Sequence, residues 1–251
     1  MIGVAALWRH PIKSHGREAL DQVTLTAGQT MPWDRTWAVM HDASKFDQAA
    51  PEWVSCVNFM IGTGTPGLAG IWAQFDPASG QITLQHDALG EIRFDPDNAQ
   101  DAAELIDWVR PLCPPDTRQP VQLVKAPTRG MTDTDYPSVS IMTQASHNAV
   151  SQKLGRPLET ERWRGNIWLN GVGPWEEMEW PGKDIQIGDA VLHVVEPIQR
   201  CKHTMANPRT GKRDADTLGA LRDGWDHQYF GVYAKVIKGG NIALNNTAKV
   251  I

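Results

Sequence analysis

Short runs of alternating apolar and polar residues, bounded by turn-forming residues, recur along this chain and restrict it to a β-rich fold. Alternation with a period of two places every second side chain on one face of a sheet, so each run predicts a strand. Between two of these runs, residues 76–80 favour a tight hairpin, because Gly80 can adopt a positive φ. In the first hundred residues the predicted strands are 3–9, 22–27, 36–40, 70–75, 81–86 and 91–94.

Two segments predict helices. Residues 99–109 carry apolar side chains three or four positions apart, and Asp97 or Asn98 can cap the first turn. Residues 144–154 follow Thr143, which is a good N-cap residue, and are ended by a glycine. Helices therefore remain a minor part of the predicted fold.

The second half of the chain returns to strand patterns after a proline-rich stretch, residues 111–120, which favours a boundary between domains 1–120 and 121–251. Several hairpins and few helices favour small barrels or curled sheets over a doubly wound sheet. We therefore predict a β-rich α+β fold, in which an N-terminal β-barrel-like domain packs against a second β-barrel domain with a few helices. The strands predicted beyond the boundary are 121–125, 165–169, 185–195 and 230–237.

One cysteine lies in a dense run of cations, although the chain has a formal net charge of −5. Residues 196–214, EPIQRCKHTMANPRTGKRD, place Cys201 between Arg200 and Lys202. Nearby positive charge favours the thiolate, which attacks electrophiles and binds soft metals. Pro197 is expected to close the preceding strand, so Cys201 should lie just past its end. The segment predicts a nucleophile or metal ligand beside an anion site; a buried, inert cysteine is the alternative.

Three further clusters combine cations with hydroxyl or amide groups at the ends of predicted strands. Lys13 and Ser14 follow the first strand, Arg35 opens the third, and Arg164 and Asn166 lie at the start of a later one. Ammonium groups and guanidinium forks suit phosphate and other anions. Each cluster taken alone is equally consistent with a solvated loop or a surface ion pair.

Composition and motif searches argue against several classes of protein. Cys56, Cys113 and Cys201 are too widely spaced for a disulfide framework or a zinc pattern, so a reducing, cytoplasmic location is expected. No run approaches the ~18 apolar residues of a membrane span, and the slight acidity argues against nucleic-acid binding. Residues 62–67 match G-x-G-x-x-G by letter, but no helical pattern follows them, so we predict a loop. His203 is a candidate proton donor or a structural histidine.

Taken in order, the polar clusters resemble the MOSC family, named for the C-terminal domain of molybdenum cofactor sulfurase, together with the β-barrel domain that usually precedes it. The resemblance covers nearly the whole chain, and its most specific element is the Arg-Cys pair with a downstream N-P-x-T-G turn. The motifs that carry it are HPIKSHG at 10–16, DRTW at 34–37, DASKFDQ at 42–48, SIMTQAS at 140–146, RWRGNI at 162–167, RCKHTMANPRTG at 200–211, and LGALRD followed by YFGVY.

The resemblance implies a MOSC-type barrel in residues 121–251 and a molybdenum–pterin cofactor bound between the two halves. Cys201 would be both the metal ligand and the catalytic residue. The cofactor-binding residues that the resemblance implies are Lys13, Ser14, Arg35, Ser138, Ser140, Arg164, Asn166 and Arg200.

Some members of this family, the amidoxime-reducing components, reduce N-hydroxylated compounds. The resemblance therefore implies an oxidoreductase that acts on N–O bonds of small molecules. Three cysteines are too few for a plant-type iron–sulfur cluster, so electrons are expected from a separate ferredoxin, flavoprotein or cytochrome. The alternatives are a carrier of the cofactor, or of sulfur as a Cys201 persulfide, and a binding module in which the cations hold another phosphate.

Overall fold

The computed structural model describes residues 1–126 and 128–251. Within them lie three α-helices, namely α1 (Ala99–Val109), α2 (Gln144–Lys153) and α3 (Thr217–Trp225). The strands are β1 (Ile2–Arg9), β2 (Glu18–Leu20), β3 (Gln22–Leu25), β4 (Trp37–His41), β5 (Trp72–Phe75), β6 (Ile82–His86), β7 (Gly90–Phe94), β8 (Pro120–Lys125), β9 (Val139–Thr143), β10 (Ile167–Asn170), β11 (Asp184–Ile187), β12 (Ala190–Gln199), β13 (Tyr229–Lys238), β14 (Gly240–Ala243) and β15 (Thr247–Val250).

Seven strands close into a barrel in the order β10, β9, β13, β12, β11, β15, β1, and β1 pairs back with β10. Gly3 of β1 lies opposite both Asn170 of β10 and Thr247 of β15, in antiparallel ladders. Closure removes the free edges that an open sheet would present. The first strand of the chain therefore completes a barrel whose other strands all come from the second half.

The barrel interior is filled by aliphatic side chains at alternating strand positions. In β11, Ile185 and Ile187 are buried there, and in β12 the same holds for Ala190, Leu192 and Val194. Full burial of each large aliphatic side chain contributes roughly 1.5–3 kcal/mol. The same alternation turns the intervening side chains of these strands away from the barrel core.

The N-terminal half forms small sheets around a second core. β5, β6 and β7 form one sheet, β4 pairs with β8, and α1 packs against β7 and β8. Helix α1 begins at Ala99 because Asn98 caps it, accepting hydrogen bonds from the backbone N–H groups of Gln100 and Asp101. Its buried face carries Leu105, Ile106 and Val109. Among the described residues, no helix is long and apolar enough to cross a membrane.

The predicted β-rich α+β class is confirmed, and so is the helix predicted over 99–109 with Asn98 as its cap. The helix predicted over 144–154 ends one residue earlier, at Lys153. The division into 1–120 and 121–251 stays a prediction. β1 and β3 belong to the first half of the chain, yet they pair with strands of the second.

Most predicted strand ends differ from the structure by one or two residues, and two further differences lie at Gly188 and Pro197. The run predicted as one strand over 185–195 forms two strands, because Gly188 turns the chain with φ +55°. β12 also continues through Pro197, which was expected to end it. The β12–β13 register shifts on both sides of this proline. Such irregularities accommodate a residue that has no N–H to donate.

Candidate functional site

A cavity of about 720 Å³, part of it open to solvent, lies between the two halves on the outside of the barrel wall. Ser140 of β9 and Tyr233 of β13 line it. Their neighbours Ile141 and Val232 instead point into the barrel core. Cys56 and residues 61–63 of the N-terminal half also line it. The strand alternation thus presents polar side chains to the cavity while the barrel interior stays apolar.

Seven of the nine predicted site residues line this cavity: Lys13, Ser14, Arg35, Ser140, Arg164, Arg200 and Cys201. Ser138 and Asn166 lie behind its wall, and both are buried. The Oγ of Ser138 accepts a hydrogen bond from Oγ1 of Thr134 at 2.8 Å. The Oδ1 of Asn166 accepts from the backbone N and the Oγ of Ser140, at 3.1 and 2.8 Å. Asn166 therefore positions Ser140 rather than facing the cavity.

Three lining residues have left-handed backbone conformations that are unfavourable for residues other than glycine. The φ angles are +62° at Ser14, +54° at Arg35 and +50° at Arg164. Hydrogen bonds hold this backbone, including one from the N–H of Arg35 to the carbonyl oxygen of His10 at 2.6 Å. Residues in this region are strained by about 1–3 kcal/mol each and cluster at functional sites.

Cys201 is exposed, immediately before a short 3-10 turn and two residues after the end of β12. This confirms its predicted position past a strand end and leaves no support for a packed, inert thiol. Its Sγ accepts a hydrogen bond from Oγ1 of Thr63 at 3.2 Å. The thiol of the second half thus meets a hydroxyl of the first half at the cavity.

Among the lining residues that the structure describes, Arg164 is a cation with a free donor, whereas Nη2 of Arg162 is ion-paired with Glu159 and Asp214. Its Nη2 is buried and has no hydrogen-bond partner within residues 1–126 and 128–251. Burial, followed by repulsion from Arg35 and Arg17, lowers the pKa of Arg164 to about 9. A buried donor without an acceptor is costly. Its position is therefore suited to an anionic ligand that accepts a hydrogen bond.

Lys13 and Arg35 are cations held by carboxylates. Nζ of the buried Lys13 donates to the Met131 carbonyl oxygen at 2.6 Å and to Oδ1 of Asp133 at 2.5 Å. Burial opposes ionisation of Asp133, but Lys13 and the nearby arginines outweigh it, so its pKa lies below its usual value. Arg35 donates to the Asp34 carboxylate and, through Nη2, to the backbone oxygen of Arg164 at 3.2 Å.

Arg200 has a different orientation from the one that its place beside Cys201 suggested. Its guanidinium donates to the Phe230 carbonyl oxygen at 2.6 and 2.8 Å and to that of Trp163 at 2.8 Å. The Trp163 and Phe230 rings stack with centroids 3.8 Å apart. The side chain of Arg200 thus links the segment just before Cys201 to the backbone of the two stacked aromatic residues, Trp163 and Phe230.

Gly62 and Gly67, two glycines of the G-x-G-x-x-G letters, pack against the second half of the chain. Residues 62–64 form a turn within the predicted loop, but a short 3-10 helix, Pro66–Gly70, begins inside the predicted range. A Cβ on Gly62 would lie 1.7 Å from Nδ1 of His203, and a Cβ on Gly211 would lie 2.7 Å from Cα of Gly67. Burial, then the charge of Arg164, lowers the pKa of His203 to about 3, so its imidazole is neutral at neutral pH.

Sequence reasoning missed several residues that line the cavity, above all Cys56, Asp133 and Tyr233. Cys56 lies in an irregular loop and has no motif around it. Asp133 belongs to the polar loop before β9, and the polarity of that loop was the one sequence feature that could have pointed to it. Burial, followed by the charge of Asp133, raises the pKa of the Tyr233 hydroxyl, which therefore stays protonated.

A solved structure and several curated proteins are similar to this chain. The YUAD protein from Bacillus subtilis matches the fold with a TM-score of 0.50 and 13% identity, covering 100% of this chain and 96% of that one. The mouse mitochondrial amidoxime-reducing component 1 is 25% identical over 249 residues, covering 87% of this chain and 71% of that protein.

Two other relatives match over part of their length. The molybdenum cofactor sulfurase of Drosophila grimshawi is 33% identical over 108 residues, covering 39% of this chain and 14% of the sulfurase. The human mitochondrial amidoxime reducing component 2 is 29% identical over 124 residues, covering 45% of this chain and 36% of that protein. This chain thus spans a minor part of both relatives.

The profile of the MOSC domain matches residues 131–248, and that of the MOSC N-terminal beta barrel domain matches residues 1–105. The two matches follow one another along the chain and place Lys13, Arg35, Arg164 and Cys201 within known domains. By these matches, and with distant similarity to the amidoxime-reducing components and molybdenum cofactor sulfurase, this chain belongs to the MOSC family.

Proposed function

We propose that this protein is a molybdenum-cofactor-dependent oxidoreductase that reduces N-hydroxylated small molecules, with electrons from a separate ferredoxin, flavoprotein or cytochrome. The observation that carries the proposal is the meeting of the exposed Cys201 thiol and the unpartnered Arg164 guanidinium in one cavity. Similarity to two amidoxime-reducing components supports N–O reduction as the reaction.

The residues of the cavity fit a metal–pterin group with a phosphate. The unpartnered Nη2 of Arg164 is a donor for an anion, and a thiolate such as that of Cys201 suits a soft metal centre. Cys201 would hold the metal, while Lys13, Arg35 and Arg164 would hold the phosphate. Ser14 and Ser140 are candidates for hydrogen bonds to the phosphate or the pterin. When bound, the group supplies two-electron redox chemistry at its metal.

The chain itself supplies groups that can hold protons for the reaction. Conversion of an N–OH group to N–H and water consumes two electrons and two protons. The Tyr233 hydroxyl stays protonated at neutral pH and lines the cavity as a hydrogen-bond donor. The neutral imidazole of His203 can both accept and donate a hydrogen bond. These two side chains are our candidates for orienting an N-hydroxylated substrate.

The proposal predicts that Cys201→Ala loses molybdenum and N-hydroxy reductase activity while its fold is kept. The physical reason is the loss of the protein's metal ligand. Metal would be measured by mass spectrometry, pterin by its fluorescent oxidised form, and folding by circular dichroism, on protein from a host that makes the cofactor. Lys238→Ala is the control, because Lys238 is exposed at the end of β13 and not among the lining residues. Full metal content and activity in Cys201→Ala would refute the proposal.

A carrier of the cofactor or of sulfur is the second candidate. Similarity to the Drosophila sulfurase and the exposure of Cys201 favour it. A carrier would show a stable persulfide or bound cofactor but no turnover with any reductant. A binding module for some other phosphate would show no metal in the wild-type protein and no effect of Cys201→Ser on ligand binding.

A further inference from the structure

Two of the three cysteines line the same cavity, although they come from different halves of the chain. Cys201 is exposed two residues past the end of β12, and Cys56 is half-buried at the start of a 3-10 turn of the N-terminal half. The two thiols thus face one common space from the two halves of the chain.

Neither cysteine lies in an α-helix or a strand, because Cys56 begins a 3-10 turn and Cys201 precedes one. Cys56 follows the loop of residues 42–55, and Cys201 precedes the turn Lys202–Met205. The hydrogen bond from Thr63 to Cys201 already joins the loop that follows Cys56 to the second sulfur. Both thiols therefore line the same cavity from segments that lie outside the barrel strands.

Cys113 provides an internal comparison, because it is buried in the core of the N-terminal half. Its Sγ lies 3.8 Å from the Val109 carbonyl oxygen, at the end of α1. It is absent from the lining of the cavity. A reagent that enters the cavity therefore meets two of the three thiols.

We infer that Cys56 and Cys201 form a two-cysteine thiol-exchange site that reacts with low-molecular-mass organic disulfides. The exposed Cys201 thiolate attacks the disulfide, whose sulfur–sulfur bond breaks and releases one thiolate, which leaves a mixed disulfide on Cys201. Cys56 then loses its proton to solvent and attacks the Cys201 sulfur, so the second thiolate departs. Two electrons pass from the protein to the reagent, and the products are a Cys56–Cys201 disulfide and two small thiols.

A disulfide between these cysteines would remove the Cys201 thiolate from the cavity, so the thiol needed to hold a soft metal would be available only in the reduced protein. The inferred thiol exchange requires only the two cysteines, so it does not depend on the proposed function. If the proposed function also holds, oxidation of the pair and binding of the metal exclude each other.

The test uses the full chain, produced in a host that lacks pterin cofactor synthesis and checked for native folding by circular dichroism. The protein would be incubated with glutathione disulfide and examined by intact-mass and peptide mass spectrometry. We expect the mass to fall by two hydrogen atoms and a cross-linked peptide to join Cys56 to Cys201. A stable glutathione adduct on Cys201, a link to Cys113, or an unmodified Cys201 would each overturn the inference.

Two variants sharpen this experiment. Cys56→Ser should stop at the mixed disulfide and keep one glutathione on Cys201, whereas Cys113→Ala should still form the link. In oxidised wild-type protein, alkylation after denaturation should label Cys113 and spare the other two cysteines, which tests the pair without any variant. Because the readout is mass rather than metal or turnover, failure here is distinguishable from failure of the proposed function.

Discussion

At the scale of single residues, the cavity holds side chains that lower the stability of the ligand-free protein. Ser14, Arg35 and Arg164 all have left-handed backbone conformations, and Arg164 in addition has a buried, unpartnered donor. Such strain and uncompensated charge persist where binding or catalysis requires them. The concentration of these features at one cavity supports our proposal that it binds a ligand.

Replacing Arg164 with methionine should stabilise the ligand-free protein while weakening anion binding. Removal of the buried cation should raise the free energy of unfolding by about 1–4 kcal/mol in urea denaturation. Affinity for inorganic phosphate should fall about tenfold or more, because a charged hydrogen bond is lost. Arg93→Met, at an exposed position of β7, is the control and should change stability by less than about 0.5 kcal/mol. Destabilisation by Arg164→Met would contradict the argument.

The same residue predicts a pH dependence with a definite sign. The pKa of Arg164 is lowered to about 9 in the folded protein, below the ordinary pKa of about 12.5 for an arginine side chain. Above pH 9 the unfolded chain therefore holds the extra proton, so the stability of the wild type rises relative to Arg164→Met. Phosphate binding should weaken over the same range, because the cation is lost. Parallel denaturation series from pH 8 to 10 would show whether the two proteins converge.

Sequence motifs predicted most of the cavity residues. Each polar cluster lies at the end of a strand, and strand ends that are neighbours in the fold bring their clusters together. The motifs could not find Cys56 or Asp133, which reach the cavity from irregular loops with no fixed spacing to any motif. They also could not show which way a side chain turns. Arg200 is adjacent to Cys201, yet it donates to carbonyl oxygens of the wall, because neighbouring residues of an extended chain point to opposite sides.

At the scale of elements, the loop of residues 61–67 and the loop of residues 201–213 pack together and close one side of the cavity. Nη2 of Arg213 donates to the Thr63 carbonyl oxygen at 2.6 Å. Arg17 adds a second tie, donating to the carbonyl oxygens of Ala69 and Pro208 at 2.7 and 2.6 Å. The geometry of the cavity thus depends on contacts between the loops as well as on the barrel.

Gly62→Ala should disturb this packing, because the new methyl group would overlap the His203 ring. We expect a loss of about 1–3 kcal/mol in the free energy of unfolding, together with reduced metal and pterin content. Gly64→Ala is the matched control, since a Cβ there would lie 3.8 Å from the Ile61 carbonyl oxygen, an ordinary contact. Equal effects of the two substitutions would show that the His203 contact is unimportant.

A helix could be predicted where its own sequence contained both the apolar spacing and the capping residue. Helix α1 combines helical apolar spacing with an Asn98 cap, and its predicted bounds are confirmed. Helix α3 was not predicted, because Gly219 and Gly224 weaken a segment of nine residues. What supports it is a cap from Asp216 and burial of Leu218 and Leu221, and the burial depends on the rest of the fold.

At the scale of the whole molecule, the barrel depends on a strand from the far end of the chain. Short-range patterns predicted β1 as a strand, but they carry no information about its partners β10 and β15. The proline-rich stretch 111–120 suggested a domain boundary that separates β1 from both of these partner strands. The association of β1 with the second half can be read only from the three-dimensional structure.

The fragment of residues 121–251 should therefore fail to fold alone, whereas the same fragment with residues 1–25 joined after residue 251 by a flexible linker should fold. Residues 1–25 restore β1 between its two partners and β3 beside β14, and Ile2 lies opposite Ala248, close to the join. Size-exclusion chromatography and cooperative denaturation would compare the fragments. A monomeric, cooperatively unfolding fragment 121–251 would show that β1 is dispensable.

Closure of the barrel by β1 also has a consequence for how the protein is made. A ribosome releases β1 first and β15 last of all the strands, so β1 is present long before either of its barrel neighbours. During synthesis β2 can already pair with residues 7–9 of β1, but the edge that pairs with β10 and the start of the edge that pairs with β15 stay unpaired. Unpaired strand edges are what chaperones recognise and what promotes aggregation. The barrel therefore assembles as a late event, and the yield of native protein should depend on how well the nascent β1 is protected.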